Sequence, residues 1–331
     1  MKAICVVKET NLEVQDTEKP STASHENLLV QMEASGINSG DKYFLANPAA
    51  RAAFGTQPNN VWGASGVGRV IGVGKNVPSH YKDKRVAIYR SLRRTPDTIG
   101  LWSEVAQIHH LCCLVLPENL NAIDYSGSLV NIITAYAFLN QAKDDGHKGV
   151  VTTAGNSATG RALLELARGK DIPAIALVRS AQAKKELGEL GFTNVIDTSV
   201  ESFGAELQTL AQQLGTTGIF DGVGGDIVTR IAPVLPRTSA FYFYGFLAGP
   251  EAFSIQSLLM MEKSLTMRSF SNFMTRTVQD NDALSKTFEE LTTIIERPAF
   301  RTKVGAQFKF DEIHKAMQFK GNDGAKALLI P

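Results

Sequence analysis

One stretch, Lys148 to Arg179 (KGVVTTAGNSATGRALLELARGKDIPAIALVR), constrains this chain more than any other. Gly149-Val150-Val151-Thr152-Thr153 is a short β-branched run suited to a buried parallel strand. The tight turn Gly155-Asn156-Ser157-Ala158-Thr159-Gly160 follows. From Arg161 to Arg168 the residues Ala162, Leu163, Leu164, Leu166 and Ala167 give a helix an apolar face. Pro173 to Val178 is a second apolar strand, so the stretch reads as one βαβ unit. The turn has glycine at the first and last positions of G-x-G-x-x-G and Ser157 in the middle. Small residues suit such a turn: the first lets the chain turn, the middle admits a pyrophosphate to the backbone, and the last lets helix pack on strand. A pyrophosphate there meets the free N–H groups and positive dipole end of the helix.

The flanking chain repeats the pattern. Helices are expected over 124–143, with Asp124 as N-cap, and over 181–190, 202–214 and 227–235. Strands are expected at 194–197, 219–223 and 239–246. Strands alternating with helices of about ten residues mean a parallel doubly wound sheet. On either side the pattern changes. Residues 2–7, 11–15 and 28–34 read as strands, and Asp41 is placed to cap a short helix through Leu45. Residues 46–61 read as irregular. The run Gly63 to Gly74 alternates glycine with β-branched residues; no long amphipathic helix follows, so it reads as a bulged, bending strand rather than a phosphate loop. Residues 101–116 return to strand pattern, and Arg90, Arg93 and Arg94 form a basic, solvated loop. The tail is mixed: a strand near 265–270, a helix near 280–296, and strands at 306–310 and 326–330. The architecture is therefore α/β, a doubly wound domain of residues 123–265 inserted into a β-rich domain of residues 1–122 plus 266–331.

A net charge of +1 with no basic run argues against nucleic acid as partner. Three cysteines in 331 residues argue against a disulfide framework and for a reducing compartment. With no charged-then-apolar leader and no run of 18 apolar residues, the expected location is cytoplasmic, away from the membrane. His109-His110-Leu111-Cys112-Cys113 holds four soft ligands in five residues. Neighbours on a strand point to opposite faces, so the run reads as strand and no metal site is expected.

Several landmarks stand in a specific order. They are residues 34–41 (ASGINSGD), 63–70 (GASGVGRV), Lys84-Arg85-Val86-Ala87, Ile133-Thr134-Ala135-Tyr136, the turn Gly155 to Gly160, residues 220–225 (FDGVGG), Tyr244-Gly245 and residues 324–331 (GAKALLIP). Over essentially the whole chain this order resembles the medium-chain dehydrogenase/reductase superfamily. The resemblance implies a Rossmann domain inserted in a GroES-like barrel domain. In the superfamily's zinc alcohol dehydrogenases the first loop carries a cysteine, where this chain has Asn38. The next glycine-rich strand carries a His-Glu pair, where this chain has Ala64-Ser65, and no cysteine lobe lies between Val86 and Trp102. Zinc needs thiolate, imidazole or carboxylate ligands. The chain thus resembles the zinc-free branch of quinone oxidoreductases and enoyl or enal reductases. Mitochondrial-type enoyl thioester reductases place a catalytic tyrosine further along this loop, where 46–50 reads ANPAA without one.

The resemblance implies an NADPH-dependent, zinc-independent oxidoreductase acting on a small quinone or α,β-unsaturated carbonyl. Asn38 and Tyr43 match residues of the quinone oxidoreductase group and become the catalytic hydrogen-bond donors. Without a metal, an enolate or hydroquinone anion, whose charge is delocalised, is easier to stabilise than an alkoxide. The cofactor contacts implied are Thr134, the turn Gly155, Asn156, Ser157, Ala158, Thr159 and Gly160, then Arg179, Ser180, Lys184, Tyr244 and Gly245. NADPH is favoured over NADH because the second strand ends in Arg179-Ser180 rather than in a carboxylate. Homodimers of this superfamily commonly join edge strands of two nucleotide domains, and 239–246 is strand-like enough to serve. The competing reading is a non-catalytic NADPH-binding protein with a structural or sensing role.

Overall fold

The structure is a computed structural model that describes residues 1–8, 10–51, 60–321 and 324–331. Residues 52–59, part of the segment expected to be irregular, lie outside the described residues. In chain order the first elements are β1 (Lys2–Val7), β2 (Asn11–Asp16), β3 (Asn27–Gly36), α1 (Ser39–Ala46), α2 (Pro48–Arg51), β4 (Ser65–Val73), β5 (Arg85–Tyr89), β6 (Val105–His109) and β7 (Cys113–Val115). Next come α3 (Leu129–Asp144), β8 (Gly149–Thr152), α4 (Ala158–Gly169), β9 (Ala174–Val178), α5 (Ala181–Glu189), β10 (Val195–Asp197), α6 (Phe203–Leu214), β11 (Thr216–Asp221), α7 (Asp226–Ile231), β12 (Ala240–Phe243), α8 (Ser257–Lys263), β13 (Thr266–Ser269) and α9 (Arg276–Gln279). The tail holds α10 (Asn281–Ile294), β14 (Val304–Lys309), α11 (Ile313–Gln318) and β15 (Lys326–Ile330).

The chain divides into two compact units, Met1–Val130 with Asn281–Pro331, and Asn131–Asp280. The first is β-rich. Its larger sheet runs β14-β15-β3-β4-β5-β7, with β6 paired to β3, and β1 pairs antiparallel with β2. The glycine-rich β4 slips register against β3 between Leu29 and Val30 and again between Met32 and Ala34. Those slips are the bulges that bend a long strand. Ile4, Val6, Trp62, Trp102, Phe310 and Leu329 form this unit's apolar core.

The second unit is a parallel sheet in the order β10-β9-β8-β11-β12-β13. The chain runs outward from β8 to β10, returns, and builds the other side from β11. The carboxyl ends of β8 and β11 therefore flank the topological switch point, where ligands of such sheets bind. Val151, Ile175, Ile196, Ile219 and Phe241, one from each of five strands, are fully buried against Leu207 and Ile231 of α6 and α7. Burial on both faces explains why these strands read as continuous apolar runs.

Several expectations move. The sequence assigns β13 to the β-rich domain, but all four of its residues pair in parallel with β12. Arg268 on β13 donates to Asp145 Oδ2 and to the Tyr242 hydroxyl, both at 2.6 Å, which ties the strand to this sheet. The divisions after 130 and 280 thus fall later than those expected after 122 and 265. The strand expected at 239–246 is shortened to β12 and is interior, so it offers no free edge; the outer strands are β13 beside it and β10 at the far side. Asp124 caps no helix. It sits in a 3-10 turn, its side chain accepting from Asn121 and its carbonyl from the Thr302 N–H, and α3 begins only at Leu129. The strand expected over 101–116 is broken into β6 and β7 by a 3-10 turn over His110–Cys112.

Candidate functional site

The sequence predicts Gly155 to Gly160 as turn and helix from Arg161. In the structure Ser157 is the N-cap of α4, accepting from the Gly160 N–H at 3.0 Å, so Ala158, Thr159 and Gly160 already form the first helical turn. The two glycines meet the requirement for small residues. A Cβ on Gly155 would lie 2.7 Å from Ala176 Cβ, and one on Gly160 would lie 2.3 Å from Ala154 O and 2.4 Å from Gly155 O. Strand, turn and helix therefore close up only with glycine at both places. Among the described residues the main-chain N–H groups of Ala158 and Thr159 find no partner within the chain, as befits the first two positions of a helix. Two unpaired donors on the positive end of a helix fit a pyrophosphate.

Other predicted residues gather along the same edge. Tyr244 stacks on Phe220 with ring centroids 3.9 Å apart, and its N–H donates to Asp221 O at 2.9 Å. Burial raises the Tyr244 phenol well above its ordinary value, opposed by a hydrogen bond with Ser157, which links it to the α4 turn. Gly222 must be glycine because a Cβ there would lie 2.5 Å from the Tyr244 hydroxyl, and Gly245 packs on Gly222 in turn. Ser180 caps α5 through the Ala183 N–H at 3.2 Å. Arg179 is exposed at the end of β9 and makes no ion pair among the described residues. Lys184 turns to Glu206 of α6 at 3.6 Å. Thr134 accepts from Asn272, just beyond β13, at 3.0 Å. Its neighbour Tyr136 points elsewhere, under the Lys170 ammonium 4.7 Å from the ring centre.

Sequence reasoning passed over the groups that hold this edge together. Thr153, after β8, donates to Asp221 Oδ1 across the switch point at 2.5 Å, and its hydroxyl accepts from the Gly222 N–H at 3.1 Å. Asp221 also accepts the Gly224 N–H at 2.9 Å. Burial raises the Asp221 carboxyl, while Thr153 and the Val223 and Gly224 N–H groups oppose the rise. The available signal was a lone aspartate followed by three glycines within four residues, a carboxylate positioned to take the N–H groups of its own turn.

In the β-rich unit, Asn38 rather than Asp41 is the N-cap of α1, and Asp41 is the third helical residue. Asn38 sits in a dense polar cluster. Its amide donates to Ser65 Oγ at 2.7 Å and to Asp41 Oδ2 at 3.3 Å, and its carbonyl accepts from the Lys326 ammonium. Lys326 also donates to Gly127 O at 2.8 Å. Both amide hydrogens of Asn38 are thus engaged inside the unit. Asp41 accepts from Trp62 Nε1 at 2.9 Å. Burial raises its carboxyl, opposed by Asn38, Trp62 and the charge of Arg90. Tyr43, on the same helix, is 39% exposed and packs edge-on against Phe44.

The loop read as basic and solvated is neither throughout. Arg90 is fully buried with its guanidinium 5.1 Å from the centre of the Trp62 ring, and burial lowers it to about 10. Arg93 is tied to Asn281 Oδ1 at 2.9 and 2.6 Å. Cys112 and Cys113 are buried free thiols, and burial raises Cys112 to about 12. A buried thiol of that kind is inert. Among the described residues no three His, Cys, Asp or Glu side chains converge to hold a metal ion. None of the described helices is long and apolar enough to cross a membrane.

Residues 158–289, from the start of α4 into α10, match the family profile described as zinc-binding dehydrogenase. The synaptic vesicle membrane protein VAT-1 homolog of Rattus norvegicus is 24% identical over 290 residues, 81% of this chain and 69% of that protein. The mitochondrial enoyl-[acyl-carrier-protein] reductase of Dictyostelium discoideum is 23% identical over 317 residues, 93% of this chain and 87% of that protein. These matches agree with the resemblance to the medium-chain dehydrogenase/reductase superfamily read from the sequence. A protein of Bacillus thuringiensis described as an NADPH:quinone reductase shares its fold, with a TM-score of 0.78 and 21% identity over 100% of this chain and 98% of the other. The glycine-framed turn lies at the switch point of the parallel sheet, and the Asn38 cluster lies in the β-rich unit.

Proposed function

We propose that this chain is an NADPH-dependent oxidoreductase that reduces quinones or α,β-unsaturated carbonyls without zinc. The observation that carries the reading is the carboxyl edge of the six-stranded sheet. There a glycine-framed helix start with two unpaired N–H groups lies on the strand next to one that ends in an exposed Arg179 and no carboxylate. The first feature suits a pyrophosphate and the second a 2′-phosphate. Relatives and structural neighbours named as enoyl reductases and NADPH:quinone reductases support the same reading.

Bound NADPH would supply the hydride. The chain's own task is to hold the pyrophosphate on the Ala158 and Thr159 N–H groups and the 2′-phosphate at Arg179 and Ser180. Hydride addition to a conjugated carbonyl or quinone leaves charge on oxygen, and a hydrogen-bond donor lowers that barrier. Tyr43, with its exposed side chain, is the proposed donor. Asn38 acts by position: its amide is committed to Ser65 and Asp41, and it fixes the first turn of α1, on which Tyr43 stands. Independence from zinc is supported by the donor set at the places where zinc relatives carry ligands, since Asn38, Ala64 and Ser65 offer no thiolate, imidazole or carboxylate. A homodimer contact through an edge strand of this sheet would fall to β13 or β10 rather than to 239–246.

The test is NADPH oxidation by the chelator-treated protein with an ortho-quinone and with a 2-alkenal, alongside Tyr43→Phe. Turnover that survives chelation and falls about 10²-fold in Tyr43→Phe agrees with the proposal. Tight NADPH binding without turnover of either substrate refutes it in favour of a binding protein.

A further inference from the structure

The pyrophosphate turn is held from behind by charged groups with no part in the reading above. Arg161 stands on the first turn of α4, yet its side chain is only 6% exposed. Its guanidinium does not face solvent; it donates to the main-chain carbonyl of Asn156 at 2.8 Å. The Asn156 side-chain amide donates to Glu186 Oε2 on α5 at 2.9 Å. Glu186 also accepts from Gln182 at 3.2 Å, which fixes its carboxylate on the helix. The turn residue Asn156 is therefore gripped twice, its carbonyl by a cation on α4 and its amide by an anion on α5. Burial lowers the Arg161 guanidinium from its ordinary value and Glu186 opposes that shift, so the two charges feel each other.

A buried guanidinium one residue past the last glycine of the turn has two physical consequences. It occupies the Asn156 carbonyl, a dipole an anion would avoid, with a cation of the chain's own. It also adds a full positive charge behind the first helical turn, where the dipole alone offers about half a charge. We propose that Arg161 is a positioning residue for the dinucleotide pyrophosphate, and that Glu186 sets its strength by holding Asn156 and partly cancelling the Arg161 charge. This rests on the NADPH reading and deepens it: recognition of the pyrophosphate is divided between the open helix start and a buried charge pair behind it.

Titration calorimetry on the full chain with two probes tests the proposal. NADPH carries the pyrophosphate; adenosine 2′-monophosphate carries only the other phosphate. Arg161→Met is expected to weaken NADPH at least about tenfold and to leave adenosine 2′-monophosphate within about twofold, with Arg161→Lys recovering part of the loss. Glu186→Gln keeps an acceptor for Asn156 while removing a negative charge from behind the turn, so NADPH should bind about two- to fourfold tighter at low salt. A general loosening of the fold would weaken both probes and could not tighten either. Equal losses for both probes in Arg161→Met, or unchanged or weaker NADPH binding in Glu186→Gln, overturn the proposal. If the unaltered chain binds neither probe, the dinucleotide reading itself falls; if it binds both and the variants do not separate them, only the role of Arg161 falls.

Discussion

Gly160→Ala adds one methyl group at the point where α4 meets its turn. The new Cβ would lie 2.3 Å from Ala154 O, 2.4 Å from Gly155 O and 2.7 Å from Gly155 C. An ordinary carbon–oxygen contact is about 3.3 Å, so roughly 1 Å of separation must be found. All three atoms are main chain, and none can rotate away. The turn cannot retreat either, because Gly155 is held by its N–H to Leu177 O at 3.0 Å and already sits against Ala176. Overpacking of this kind costs about 1–3 kcal/mol. Alanine recovers about 1 kcal/mol of helix propensity, which leaves a net loss of up to about 2 kcal/mol. Gly188→Ala is the control. It is the same chemical change in α5, at a site with nothing within 4 Å of the new atom and no left-handed backbone. It should stabilise by about 0.5–1 kcal/mol. Thermal unfolding by circular dichroism should show Gly160→Ala below the parent chain by up to about 4–8 °C and Gly188→Ala slightly above it. NADPH binding should weaken only in Gly160→Ala, since the first turn of α4 must shift. Equal midpoints for the two variants would show that the turn yields freely and would refute the account of why glycine stands there.

Two further outcomes are expected. Arg179→Glu should invert the cofactor preference, because a carboxylate at the end of β9 repels a 2′-phosphate and accepts ribose hydroxyls; kcat/KM for NADPH should fall by at least about 10²-fold while that for NADH holds or rises. An Arg179→Glu variant that keeps the NADPH preference would remove Arg179 from the site. Burial, aided by neighbouring His110, lowers His109 to about 4, below its ordinary 6.5. Between those values the unfolded chain takes up a proton that the folded chain refuses, so stability falls as pH drops from 6.5 toward 4, by at most about 3 kcal/mol. His109→Asn keeps an acceptor for the Leu111 N–H, which His109 Nδ1 takes at 3.1 Å. Denaturant unfolding at pH 7 and pH 5 should show that the variant has lost part of the parent's acid sensitivity, and an unchanged slope would assign that sensitivity to other groups.

Residues 148–179 by themselves determined a βαβ unit, a glycine-framed turn and the basic end of β9. The reason is local: a buried parallel strand must be a continuous apolar run, and a helix that starts against its strand and turn needs glycine in its first turn. Asn38 and Tyr43 are singled out only by the resemblance to the quinone oxidoreductase group, since the residues alone point to Asp41 as the cap of their helix. What the sequence could not fix were choices made between distant segments. Whether β13 joined the β-rich unit or the parallel sheet depended on pairing with β12 and on Arg268 reaching Asp145, 123 residues away. Arg90 and Arg93 read as solvated because arginine usually is, and only the packing of Trp62 turned Arg90 inward and only the position of Asn281 tied Arg93 down. The grip of Arg161 and Glu186 on Asn156, and of Thr153 on Asp221, joins strand and helix ends that meet only once the sheet is assembled. Periodicity records which face of an element is buried. It carries no record of which polar group waits on the far side, and that is decided when burial leaves each such group to find a partner or stay unpaired.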